Sequence, residues 1–209
     1  MTAALERGRP LEGAPARPAT PHRRARCTPP WPRPGVLALA AVLAALLALA
    51  GAAVGHSAAG SLPAGLLGGP HTSDADWTLT GILGRNLGAA LLVFGGVVTG
   101  GALTAVTLPL VGVWVGATLR LALDAAGWEG AVGATVLYAP LEFAGVLLAA
   151  VAGLVPLAAA LLRPRDADVV PGPLSRYLGA LPSACLLIGC ALLLITAAGV
   201  VEHLVVSGR

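Results

Sequence analysis

The chain has 209 residues, 56% of them hydrophobic and 11% charged, with a mean hydropathy of +0.84. A soluble domain carries nearer a quarter of charged residues, so this composition excludes a water-soluble globule and predicts an all-α, polytopic helical membrane protein. The net charge is only +3 and every basic residue is arginine, which gives no general case for nucleic-acid binding; where the charges fall carries more information.

Residues 1–34 are rich in Pro, Arg and Ala and have no hydrophobic periodicity, which predicts a disordered tail ahead of a membrane domain over 35–209. Arg7, Arg9, Arg17, Arg23, Arg24, Arg26 and Arg33 precede the first apolar run, so the positive-inside bias puts the tail and the amino terminus in the cytoplasm, beside anionic headgroups. A twin-arginine export signal at Arg23-Arg24 is set aside, because the Pro-rich stretch from Thr28 to Pro34 separates the pair from the apolar segment.

The first span is predicted over 35–55, as an uncleaved signal anchor, with cleavage near 53–58 as the alternative. Residues 56–80 hold His71, Asp74, Asp76 and Trp77 and no Arg or Lys, as suits an extracytoplasmic loop. The second span, 82–106, opens on Arg85-Asn86 and is crowded with Gly88, Gly95, Gly96, Gly100 and Gly101. Gly96 and Gly100 are four apart, so one flank of that helix is nearly bare backbone against which another helix can pack. Thr107-Leu108-Pro109 is the predicted break before a third, short span over 107–123, which carries Gly112 and Gly116 at the same spacing and Arg120 near its end. Asp124, Trp128 and Glu129 mark a second extracytoplasmic turn.

The fourth span, 131–162, contains a single acid, Glu142, about a third of the way in. A carboxylate inside a helix of Leu, Val, Ala and Gly costs several kcal/mol unless it is paired, hydrogen-bonded, protonated or facing water. Its predicted neighbours are Tyr138, one turn back on the same face, and Asn86; Arg120 is read first as an interface residue snorkelling to the headgroups, with a role as counter-ion of Glu142 as the alternative. Pro140 predicts a kink beside the acid. Arg163-Pro164-Arg165 closes the span on a second cytoplasmic junction, and the last span is predicted over 177–206, with Pro182 near its start and Glu202 and His203 near its end. Cys27, Cys185 and Cys190 lack the spacing of a metal or disulfide motif and are read as small buried hydrophobes; no metal, cofactor or catalytic set is expected.

Asn86 ahead of a span with Gly95-Gly96, the pair Gly112 and Gly116, then Glu142 with Ala149, Gly153 and Leu154, together resemble the stage II sporulation protein M family of bacterial integral membrane proteins, over residues 82–162. In that family the third apolar segment opens Asn-Gly and the fourth carries His-Gly-x-x-Glu; here these places read Val111-Gly112 and Tyr138-Ala139-Pro140-Leu141-Glu142. A tyrosine donates a hydrogen bond but is no base near neutral pH, so a proton relay between positions 138 and 142 is not expected. The resemblance implies a membrane scaffold or regulator of envelope and cell-wall remodelling, with the lipid bilayer, other envelope proteins such as cell-wall hydrolases, and other copies of the chain as partners. A transporter or permease subunit, with Glu142, Asn86 and Arg120 lining a polar path, is the alternative.

Overall fold

The computed structural model describes residues 31–61, 78–163 and 171–207. The tail before residue 31, with Cys27, the acidic stretch around His71, Asp74, Asp76 and Trp77, and Arg165 lie outside these. The described residues form helices and no strand: α1 (Pro34–Ala58), α2 (Leu79–Phe94), α3 (Ala102–Thr135), α4 (Ala139–Leu161), α5 (Pro173–Gly179) and α6 (Leu181–Ser207). Short 3-10 turns follow α1 at Ala59–Ser61 and α2 at Gly95–Val97. Five segments are long and apolar enough to cross a membrane: α1, α2, α3, α4, and α5 with α6.

The starts of the helices follow from local chemistry. Pro34 and Pro173 occupy the first turns of α1 and α5, where the missing N–H has no partner to lose. Thr78 caps α2, its hydroxyl accepting from the Gly81 amide at 3.2 Å. The Thr99 hydroxyl accepts from the Leu103 amide at 3.0 Å and serves the start of α3 in the same way.

The expected break at Thr107–Pro109 is not where the chain turns. It reverses over 95–101, and Pro109 lies inside α3. The reason is backbone freedom: Gly100 and Gly101 adopt φ of +63° and +91°, a region that other L-residues enter only at a cost, whereas a proline within a membrane helix is tolerated. Gly100 is therefore a turn residue, with open space where a side chain would stand, and not part of a packing face. A second such glycine, Gly127 (φ +67°, ψ −178°), kinks α3, which runs much further than the expected 107–123.

α1 and α3 run parallel at very short range. Methyl groups at Gly51, Gly55 and Gly116 would overlap the carbonyls of Pro109, Val113 and Ala52, and one at Gly112 would lie 2.6 Å from the carbonyl oxygen of Ala48. Steps of four on one helix match steps of four on the other, so two small-residue stripes face each other. α4 is the centre of the bundle, touching α1, α2, α5 and α6. Residues 149–156 are buried without interruption, which a helix achieves only when it is enclosed on every side. At one end Thr104, fully buried, donates to the Val93 carbonyl at 2.6 Å and fills the space left by Gly96 and Gly153, pinning the α2–α3 turn to α4.

Large apolar side chains such as Leu46, Leu49, Leu110 and Leu193 stand outward, each at least 60% exposed, as lipid-facing residues must. Cys185 and Cys190 are free and also face outward, so they are not the buried hydrophobes the sequence suggested.

Candidate functional site

The sequence places Glu142 within a long fourth span, but α4 starts at Ala139 and Glu142 lies in its first turn. Pro140 is the cause. It stands at the second position of the helix, where its missing N–H is harmless, so it starts α4 and does not kink it. From Glu142 to Leu161 is about 29 Å at 1.5 Å per residue, close to a full hydrocarbon thickness. The acid thus sits at one end of the bundle.

Three helices converge there. Asn86 of α2 donates its amide Nδ2–H to Glu142 Oε1, across 56 positions of sequence. From α6, Glu202 brings its carboxyl group within hydrogen-bonding reach of Glu142, and Arg85 of α2 adds a positive charge nearby. The approach of α6 follows from its glycine: a methyl at Gly199 would lie 2.8 Å from Leu83, so α6 passes close to α2 one turn before Glu202. Gly145 does the same between α4 and α6, against Ile195. Asn86, Glu142 and Glu202 are all half-buried, and Arg85 is exposed.

Of the other expected members, Arg120 takes a different partner. Tyr138 supplies its main-chain carbonyl, which accepts from the Glu142 amide at 3.1 Å as the cap of α4. Arg120 is not the counter-ion of Glu142; its Nε donates to Asp124 Oδ2 at 2.9 Å on its own helix, with both side chains about half exposed. The (i, i+4) spacing makes that pairing available as soon as α3 extends past residue 123. Of the packing glycines, Gly96, Gly112, Gly116 and Gly153 lie against backbone or a buried side chain, while Gly95 meets only the flexible end of Leu103.

Sequence reasoning passed over several contributors. Glu202 and Arg85 were visible as isolated charges at span ends, but nothing in a linear reading brings α6 beside α4. Gly51 and Gly55 repeat the spacing of Gly112 and Gly116 and were legible as a second small-residue stripe. At the opposite end of the bundle, Arg176 of α5 donates Nε to the Ala159 carbonyl at 3.1 Å, Nη1 to the Pro171 carbonyl at 2.8 Å, and Nη2 to the Ala160 carbonyl. The guanidinium thereby satisfies the last carbonyls of α4 with a charge of favourable sign for that helix end. The neighbouring Tyr177 hydroxyl donates to the Val97 carbonyl at 2.6 Å, so α5 ties α4 and the α2–α3 turn together.

Chemically, the Glu142 centre is an acceptor held by an amide donor and faced by a second acid and a cation. Among the described residues no group of His, Cys, Asp and Glu has the arrangement of a metal site. No family model, no curated protein and no solved structure matches this chain.

Proposed function

We propose that the chain is a non-enzymatic, multi-pass protein of a bacterial cell membrane, of the stage II sporulation protein M type, that holds or regulates partner proteins in envelope and cell-wall remodelling. The residues that carry the resemblance, from Asn86 to Leu154, are its basis. The single observation that favours a scaffold is the bond from Asn86 to Glu142, which makes the acid a link between α2 and α4 at the end of the bundle. Along the rest of α4 the apolar side chains Ala150, Ala152, Val155 and Ala158 are themselves buried in the bundle, and a packed apolar centre suits a holding role better than a solute path. On this reading the outward faces of the helices and the ends of the bundle carry the partner contacts.

A transport role is the second reading, and the contact between Glu142 and Glu202 is what favours it, because paired intramembrane acids are common on ion and proton paths. Pull-down of the intact protein from its native membrane separates the two. Cell-wall hydrolases among the recovered proteins are the expected result; a stoichiometric ATPase in their place would overturn the scaffold reading.

A further inference from the structure

The connector between α3 and α4 does not have the character of a loop in water. We propose that residues 128–137, the end of α3 beyond the Gly127 kink and the turn after it, lie in the plane of the membrane and rest in the headgroup interface, anchored by Trp128.

Height is the first argument. α3 from Ala102 to the kink has about 25 residues and is about 37 Å long, more than the roughly 30 Å of hydrocarbon. The exposed ion pair of Arg120 and Asp124 lies about 27–33 Å along it, so the helix leaves the hydrocarbon between these two residues, and the kink, about 7 Å past the roughly 30 Å mark, falls at the level of the headgroups. α4 re-enters at Ala139, at the same end of the bundle. Direction is the second argument. α3 packs chiefly on α1 and barely meets α4, so the connector has lateral distance to cover. The backbone at Gly127 (φ +67°, ψ −178°) is a conformation essentially reserved for glycine, and it breaks the α3 axis at the point where a lateral course must begin.

The surface chemistry names what the connector rests on. Trp128, Val136 and Leu137 are 69%, 52% and 62% exposed, and Glu129 is the sole charge between Trp128 and Glu142. Leu141 and Phe143, in the first turns of α4, are exposed as well, at 38% and 41%. An exposed apolar strip headed by a tryptophan matches the interface, where Trp is enriched because its ring is apolar and its N–H polar. The connector is thus a lipid-contacting element of the bundle end that also carries Glu142 and Glu202.

Depth-dependent quenching tests this. In a protein whose Trp31, Trp77 and Trp114 are replaced by Phe, reconstituted in phosphatidylcholine vesicles, a nitroxide near the lipid headgroup should remove more Trp128 emission than one at mid-chain, and aqueous iodide should remove little. Strong iodide quenching with no lipid quenching places the segment in water and overturns the proposal. Shielding from all three quenchers places it under protein and overturns it equally. A spin label on Leu137→Cys, in a background lacking Cys27, Cys185 and Cys190, gives the same reading without the tryptophan changes: relaxation by oxygen should exceed relaxation by a water-soluble nickel chelate, and the reverse order overturns the proposal.

Discussion

At Glu142 two neighbours make opposite demands. Asn86 offers a donor and is served by any acceptor at position 142, while Glu202 offers a carboxyl and is repelled by a second charge. Glu142→Gln answers both, since the amide oxygen still accepts from Asn86 and its NH2 can donate to Glu202. Its thermal midpoint in detergent should equal or exceed that of the unaltered protein. Glu142→Leu leaves a half-buried amide without its acceptor and should cost about 1–2 kcal/mol. Equal damage from both variants would show that the charge itself supports the fold. A well-folded Glu142→Gln protein with no cellular function would sink the scaffold reading in favour of transport, because an amide cannot exchange a proton along a path. The composition of the centre was only half legible in the sequence. A lone acid in an apolar run and an Asn at a span entry announce themselves, but Glu202 becomes a partner only because Gly145 and Gly199 let α6 close on α4 and α2.

Among the elements, the parallel pair α1 and α3 is the tightest contact, and its glycines are not interchangeable with the others. A side chain at Gly116 or Gly55 must displace backbone, which cannot yield as a flexible side chain can, so Gly→Ala at either should cost about 1–3 kcal/mol and Gly→Leu should abolish folded yield. Gly84 and Gly88 of α2 share the four-residue spacing but have open space at the Cβ position. Alanine there should be neutral, or stabilise by up to about 1 kcal/mol through its better helix propensity. Detergent-solubilised yield and thermal midpoint across these four positions measure the difference, and uniform tolerance would mean that α1 and α3 do not pair in this register. Spacing alone does not separate used stripes from unused ones; the register of a partner helix does. The same limit explains the misplaced α2–α3 break, since Pro109 looks like a helix breaker in one dimension while the turn was decided by two glycines able to take positive φ.

For the molecule as a whole, the ends of the helices sort into two groups. Arg33, the α2–α3 turn, Arg163 and Arg176 lie toward one end, and Ser61, Glu142 and Glu202 toward the other. On the orientation proposed from the positive-inside bias, the arginine end faces the cytoplasm. Single cysteines at Arg163, Gly60 and Asp74, in a background without the native three, give the check. A membrane-impermeant maleimide applied to intact cells should label positions 60 and 74 and reach 163 only after permeabilisation; the opposite pattern would reverse the orientation.

The sequence by itself determined that this is an all-helical chain with five segments fit to cross a membrane, because the length of an apolar run is a local quantity that the hydrocarbon thickness reads directly. It also determined that small and aliphatic residues would govern the packing, since aromatic residues make up only 4% of the chain while glycine fills 28 positions. Tertiary structure decided which glycines touch, because that depends on the register between helices distant in the chain. It decided that Arg120 turns to Asp124 while Arg85 and Glu202 attend Glu142, and that Arg176 closes the far end of α4, because a charge takes the partner nearest in space and only the folded bundle sets those distances.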